Sequence, residues 1–427
     1  MSERNPTRRQ YLLAAGASSV ALLSGCSSGG DDGSGQDETE DTTDAGDGSG
    51  QDETQNTTAD GGDTGDSGGG FTPWVSRYGD PQKTRATPDS APSDLDSTTS
   101  YDGGGSVAVT DTGVFSLART VIRVDPATGE RAFSRSAPVG EALFVQDGFV
   151  VCGERRGGSR VAALNAETGE RAWLVEPGGA VVPFPAGDGV GYAGSHIGVL
   201  DPASGDTRWN RDRSLVSSEV AVPGYFAGNV ATHPESDTAF AYTGSGEGDA
   251  IEAYDLTNGE QRWKNDESFT NTQPIPVAVR DDAVYVSRRR TNRTDQFLAL
   301  DRATGEQQWT VDRSQRNAAF AVDDDRIYIA YGTTSSGTTD PTVAALDPTD
   351  GSERWSSPVS RGTASLLATG DALVRIGRRV EVLSKSNGEL QRSAGIDGSV
   401  GDGNAVAGGR VYVTTVGGGG ILVYGTG

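Results

Sequence analysis

Two cysteines and two histidines are the residues of this chain best suited to redox or metal chemistry. Cys26 and Cys152 are far apart in the sequence, and Cys152 lies in an apolar run, so we expect it to be a buried apolar residue rather than a redox centre. His196 and His233 are predicted to lie in separate loops, with no second ligand at metal-binding spacing. We therefore expect no metal site, no bound cofactor and no catalytic residue.

Arginines are the other residues with clear chemical potential, because they occur in pairs and short runs. A guanidinium group binds carboxylate, sulfate or phosphate oxygens through two parallel hydrogen bonds. The runs could therefore dock an acidic protein or an acidic polysaccharide; the alternative is that they pair with neighbouring Asp and Glu on a mixed surface. The residues concerned are Arg155, Arg156, Arg288, Arg289, Arg290, Arg293, Arg378 and Arg379.

The elements that must position these residues are set by a repeat, whose clearest copy runs from Val161 to Trp173. Each copy is a short apolar strand, then Asp-x-x-Thr-Gly, then Glu-x-x-Trp. This pattern predicts two strands joined by a tight turn, because the Asp side chain opens the turn and Gly adopts a positive φ. The last position of the motif is aromatic in six copies: Phe133, Trp173, Trp209, Trp263, Trp309 and Trp355.

The spacing of the repeat predicts an all-β propeller. Copies recur at roughly 40 to 50 residues, and each follows a second predicted pair of strands, which is the size of a four-stranded antiparallel blade. Seven complete copies and a truncated one at Ile421 to Tyr424 predict eight blades, closed by an outer strand from the N-terminal segment, Leu95 to Ser100. Seven blades are the alternative. The recurring aromatic residues are then expected to dock structurally between neighbouring blades.

The repeat resembles the tryptophan-docking motif of PQQ-like (pyrroloquinoline-quinone-type) β-propellers, and the segment from Trp74 to Asp80 looks like the one with which many of them begin. The resemblance covers about Phe71 to the C-terminus. It implies either a non-enzymatic binding or assembly scaffold or a PQQ-dependent dehydrogenase. Dehydrogenases of this family hold PQQ beneath a disulfide between adjacent cysteines, with a calcium ion and an Asp base. This sequence has no adjacent cysteine pair, which favours the scaffold.

A propeller sorts its connections between two faces. With strands a to d from the channel outward, the a–b and c–d turns open on one face and the b–c and d–a loops on the other. The predicted a–b and c–d turns are rich in Asp and Glu, whereas the arginine runs fall in predicted b–c loops. The sequence therefore predicts one arginine-rich face, which would carry the partner-binding site.

The N-terminal residues predict export and a lipid anchor. Arg8 and Arg9 precede an apolar run from Leu12 to Leu23, as in a twin-arginine signal peptide, and this run is too short for a permanent membrane span. The run ends in a motif that resembles a lipobox and leads to Cys26, which is the expected lipidation site. We expect residues 1–25 to be the signal peptide, 26–70 a lipidated tether and 71–427 the propeller, held at the outer side of the cytoplasmic membrane.

Charge narrows the class of partner. The stretch 27–70 contains thirteen Asp or Glu and no Lys or Arg, which predicts a disordered, extended tether. The whole chain has a net charge of −24 and only three Lys, a composition that resembles haloarchaeal exported lipoproteins. Nucleic-acid binding is disfavoured, because phosphates would be repelled. We expect a monomer; Asn56 and Asn292 match the N-glycosylation motif.

Overall fold

The computed structural model describes most of the chain from residue 71 onward. The described ranges are 71–76, 79–80, 83–96, 98–136, 142–153, 160–178, 181–194, 196–212, 230–245, 248–266, 273–280, 282–289, 295–313, 317–331, 341–360, 362–401, 403–416 and 420–425. The predicted signal peptide, Cys26, the tether and Asn56 lie outside these residues, as does Asn292.

The described residues form thirty-two strands in eight four-stranded antiparallel sheets, which confirms the eight-bladed propeller and rules out seven blades. Seven blades are continuous in sequence. Blade 1 comprises β2 (Ser106–Thr110), β3 (Gly113–Leu117), β4 (Thr120–Val124) and β5 (Arg131–Ser136), and blade 2 comprises β6 (Leu143–Gln146), β7 (Phe149–Gly153), β8 (Val161–Asn165) and β9 (Arg171–Val175). Blade 3 comprises β10 (Val181–Ala186), β11 (Gly189–Gly194), β12 (His196–Leu200) and β13 (Thr207–Asp212). Blade 4 comprises β14 (Val230–His233), β15 (Thr238–Ser245), β16 (Gly248–Asp255) and β17 (Gln261–Asn265).

Blades 5 to 7 follow the same order, whereas blade 8 is assembled from both ends of the propeller. Blade 5 comprises β18 (Gln273–Val279), β19 (Ala283–Arg289), β20 (Asp295–Asp301) and β21 (Gln307–Arg313). Blade 6 comprises β22 (Asn317–Val322), β23 (Ile327–Tyr331), β24 (Thr342–Leu346) and β25 (Glu353–Pro358). Blade 7 comprises β26 (Thr363–Ala368), β27 (Ala372–Gly377), β28 (Arg379–Ser384) and β29 (Leu390–Gly395). Blade 8 comprises β30 (Ala405–Ala407), β31 (Arg410–Thr414), β32 (Ile421–Tyr424) and, as its outer strand, β1 (Thr98–Tyr101).

The closing strand of blade 8 is the predicted one, shifted slightly along the sequence. β1 pairs antiparallel with β32, with Thr98 opposite Tyr424 and Tyr101 opposite Ile421. Ring closure therefore joins the two ends of the propeller, as the truncated last repeat predicted. The helical content of the described residues is one 3-10 turn, Pro234–Ser236. None of their helices is long and apolar enough to cross a membrane.

The core lies between the blades. The inner strands of each sheet are buried on both faces against the neighbouring blades, and every residue of β2, β3 and β27 is buried. The apolar clusters combine residues of adjacent blades. One of them joins Val286 and Leu298 of blade 5 to Phe240 and Ile251 of blade 4.

The predicted two-face arrangement follows from the strand pairing. The a–b and c–d turns of one blade meet at the same end: the Leu256 amide donates to the Asp237 carbonyl (2.8 Å), and the Arg302 amide donates to the Asp282 carbonyl (2.9 Å). We call this end the turn face. The opposite end, which carries the b–c and d–a connections, is the loop face.

Candidate functional site

The turn face is built by the repeated Asp-x-x-Thr-Gly sequence. In blade 5, Asp301 Oδ1 accepts the backbone N–H groups of Ala303 (2.9 Å) and Thr304 (2.8 Å), and Gly305 adopts a φ of 77°. The backbone N–H of Thr304 is the main reason that the pKa of Asp301 is lowered. The carboxylate is therefore occupied by its own turn, which makes it a structural group and not a free ligand.

The aromatic residue that ends each motif docks on the turn of the next blade. Trp263 of blade 4 donates its indole N–H to the Arg302 carbonyl (2.9 Å), and a Cβ built on Gly305 would lie 2.5 Å from its ring. Glycine is thus required both for φ and for space. Equivalent indole bonds join Trp173 to Pro202, Trp209 to Leu256, Trp309 to Pro348 and Trp355 to Lys385. Phe133 packs on Gly169 without such a bond.

Two blade junctions depart from the repeat. Tyr101, on the closing strand of blade 8, packs on Gly129 of blade 1 and donates its hydroxyl to the Pro126 carbonyl (3.1 Å), so it replaces a docking tryptophan. The repeat does not predict the role of Tyr101, because this residue lies outside any copy of the motif. Between blades 7 and 8, Arg392 stands where the other blades place an aromatic residue.

A strap, residues 71–96, spans the turn-face end of the central channel. Its backbone bonds to the innermost strands of blades 1 and 2 through Trp74 and Val75, and then, across the ring, to those of blades 6 and 7 through Thr84 and Arg85. Each partner lies at or near the turn end of its strand, so the strap is fixed to the inner strands of four blades at the turn face.

Two carboxylates fasten the strap. Asp89 accepts the amide of Gly408 in blade 8 (2.6 Å) and that of Thr72 within the strap (3.0 Å). Asp80 accepts the amide of Thr84 (3.0 Å) and the Thr84 hydroxyl. Burial raises the pKa of Asp80 to about 6, opposed by the Thr84 hydrogen bonds and by the charge of Arg280.

The loop face receives only part of the predicted arginine set. Arg378, in the b–c connection of blade 7, and Arg379, at the start of β28, are exposed; Arg379 also donates to the Ser393 hydroxyl (2.6 Å). Arg288 and Arg289 belong to strand β19 and not to a loop, which corrects their predicted placement, and Arg288 is only 9% exposed. The remaining members, Arg155, Arg156, Arg290 and Arg293, lie outside the described residues.

A buried ion pair near the loop face was not predicted from the sequence. Arg375 is fully buried between blades 6 and 7, where it donates to Glu381 Oε2 (2.5 Å), the Gly362 carbonyl (2.6 Å) and the Thr363 hydroxyl (3.0 Å). Burial lowers the pKa of its guanidinium, and Glu381 opposes this. An arginine within the apolar run of β27 was the available signal. The pair fixes the d–a connection that leads into blade 7.

The comparison with protein families identifies the repeat. Residues 74–184 and 193–377 match the family described as outer membrane protein assembly factor BamB. The chain belongs to this family. A comparison with curated proteins found no match. BamB from Moraxella catarrhalis is structurally similar to this BamB-family propeller, at 20% identity and a TM-score of 0.57, over 78% of this chain and 97% of that one.

Other propellers are similar to this BamB-family chain to the same degree. Quinohemoprotein alcohol dehydrogenase from Comamonas testosteroni matches at 15% identity with a TM-score of 0.60, over 83% of this chain and 81% of that one. Sqt1 from Saccharomyces cerevisiae matches at 11% identity with a TM-score of 0.56, over 79% of this chain and its full length. At these identities, structural likeness shows the fold alone.

The residues present in this BamB-family propeller do not fit PQQ in the arrangement that the sequence resemblance implies, beneath a disulfide between adjacent cysteines. Cys152 is buried in β7, where burial raises its thiol pKa to about 12, and the sequence has no cysteine beside it. Within the described ranges, no three His, Cys, Asp or Glu side chains are grouped so that they could hold a metal ion. His196 and His233 lie in strands β12 and β14 and not in loops, which corrects the prediction.

Proposed function

We propose that this chain is a binding or assembly scaffold and not an enzyme. The observation that carries the proposal is the contrast between the two faces. Blades 1 to 7 repeat the same turn, in which the backbone carbonyl of the Asp, Asn or Ser accepts the amide of the turn glycine. The strap bonds to four inner strands at the same end. The b–c connections of the loop face differ in length from blade to blade, from residue 195 alone in blade 3 to residues 332–341 in blade 6.

The loop face is the surface that we assign to the partner. A site that recognises one partner needs residues that differ between blades, and such differences are concentrated at this end of the ring. Arg378 and Arg379 place two exposed guanidinium groups there. An acidic protein or an acidic polysaccharide fits these groups, because carboxylate and sulfate oxygens match the guanidinium geometry. The sequence of Cys26 and the residues before it supports attachment to the outer side of the membrane through a lipid.

The test compares partner capture by paired arginine variants of the two faces. The variant Arg378→Ser with Arg379→Ser should lose capture of an envelope partner, while the matched variant Arg131→Ser with Arg171→Ser, at the turn-face end of the outer strands, should keep it. Equal capture by both variants would show that Arg378 and Arg379 do not contribute to partner binding. The rival function, a PQQ-dependent oxidoreductase, predicts saturable PQQ binding in the presence of calcium, and the scaffold predicts none.

A further inference from the structure

The rim of blade 7 differs from that of every other blade. In blades 1 to 6 the outer strand carries an aromatic residue that docks on the next blade, and in blade 8 Tyr101 does so. Blade 7 has Arg392 instead. Blade 8 takes its outer strand from β1, so no Asp-x-x-Thr-Gly turn joins β32 to that strand and the usual docking partner of an aromatic ring is missing.

Arg392 is a cation without a partner among the described residues. Its side chain is half-buried, and its Nε is inaccessible to solvent and donates to no acceptor. Two other arginines of the outer strands are neutralised by carboxylates: Arg208 by Asp188 (2.7 Å) and Arg262 by Asp255 (2.8 Å). A partly buried guanidinium with no carboxylate beside it keeps an uncompensated charge, so Arg392 is stabilised by an added anion.

Leu390 is the second exception on the same strand. It is 58% exposed. The residue two positions before the docking site is polar in the first six blades, namely Arg131, Arg171, Thr207, Gln261, Gln307 and Glu353. Polar and charged residues on an outer strand discourage pairing with another chain. The exposed leucine removes that protection at one position of β29.

Leu390 and Arg392 face opposite sides of the sheet. Leu390 pairs with Leu383, whose core neighbours belong to blade 6, whereas Arg392 pairs with Val382, whose core neighbours belong to blade 8. A register shift between Val382 and Leu383 separates the two pairs. An added strand presents alternate side chains to opposite sides, so an apolar side chain would reach Leu390 and an acidic one Arg392.

We propose that the outer edge of β29 binds an extended peptide segment of a partner protein, in which apolar and acidic residues alternate. Backbone groups of β29 supply the main-chain hydrogen bonds, as in other complexes that form by strand addition. The leucine side of the peptide covers Leu390, and the acidic side neutralises Arg392. This rim site is separate from the loop face, and neither proposal depends on the other.

The test uses a capped seven-residue peptide with alternating leucine and glutamate, labelled at one end, and the full chain. Fluorescence polarisation should show saturable binding. A glutamine version of the peptide and the variant Arg392→Gln should each weaken binding about tenfold, and their combination should cost little more, because both remove the same contact. The matched control Arg171→Gln, on the outer strand of blade 2, should bind as the wild type does.

A second variant separates docking from a general loss of structure. Leu390→Lys restores a polar residue at the exposed position and should weaken binding while the thermal unfolding midpoint stays unchanged. A peptide of the same composition with its leucines and glutamates in two blocks should bind more weakly than the alternating one. The proposal is overturned if the alternating peptide does not bind, or if it binds Arg392→Gln and Leu390→Lys as tightly as it binds the wild type.

Discussion

At the scale of single residues, the turn glycines decide how closely two blades approach. Gly305 is in van der Waals reach of the Trp263 ring, and the same contact recurs at Gly259, Gly351 and Gly388. Each contact combines a positive φ with a docked indole. The repeat therefore encodes the junction between blades as well as the turn within one blade.

Two glycines allow the cost of a positive φ to be measured apart from the cost of a clash with the docked ring. Gly305 (φ 77°) would place a Cβ 2.5 Å from Trp263, whereas Gly148 (φ 78°) has open space around its Cβ position. Gly148→Ala should cost about 1 kcal/mol of folding free energy from the backbone conformation alone. Gly305→Ala should cost about 1–3 kcal/mol more, because the ring must move. Chemical denaturation of both variants checks this, and equal costs would show that the docked ring is not tightly held.

The aromatic docking residues within the repeat were predictable from the sequence, whereas the docking role of Tyr101 was not. Phe133 and the five motif tryptophans lie at blade junctions because one local pattern recurs at blade spacing. Tyr101 reaches the same carbonyl position from a strand with no motif, and only the paired strands β1 and β32 reveal it. The arginine runs were partly misplaced, because a blade strand can extend to Arg289, past the expected loop boundary.

At the scale of elements, the strap is the part that the repeat does not explain. Its charged residues Lys83 and Arg85 adopt φ values of 60° and 55°, which are unusual for residues other than glycine. The Asp80–Thr84 turn and the bonds to β22 and β26 hold this conformation. Such contacts depend on blades far apart in sequence, so no local pattern could have predicted them.

The strap makes stability depend on pH in a direction opposite to that of the repeated turns. The folded-state pKa of Asp80, about 6, exceeds the ordinary 3.8, so its contribution to stability is full below about pH 4 and is lost as pH rises through 6. Asp80→Asn stays neutral and should gain in thermal unfolding midpoint relative to the wild type between pH 4 and 7.

Asp347 provides a control, because its pKa shift and therefore its effect on the pH dependence of stability have the opposite sign to those of Asp80. The pKa of Asp347 is lowered to about 2. The largest cause is a hydrogen bond from the Thr349 side chain, and hydrogen bonds from the Thr349 amide and Arg354 lower it further. Its contribution is present above pH 3.8 and is lost as pH falls through 2, so Asp347→Asn should approach the wild-type midpoint only in that acid range. An Asp80→Asn difference that stays constant from pH 4 to 7 would contradict the role of Asp80 burial.

At the scale of the whole molecule, the propeller has one uniform, strapped end and one variable end. The number of blades and their closure were predictable, because the repeat period and the truncated last copy are local facts of the sequence. The identity of the binding face depends on which connections share an end, which requires the strand order of every blade. The loop face is therefore the proposed partner-binding surface.

Site-specific cross-linking tests that claim most directly. Arg378 on the loop face and Asp371 on the turn face are both exposed and both belong to blade 7, so they form a matched pair of positions for a photo-reactive side chain. Irradiation with the protein in its native envelope should give a discrete adduct from position 378 and none from position 371. Adducts from position 371 alone, or equal adducts from both positions, would contradict the loop face as the binding surface.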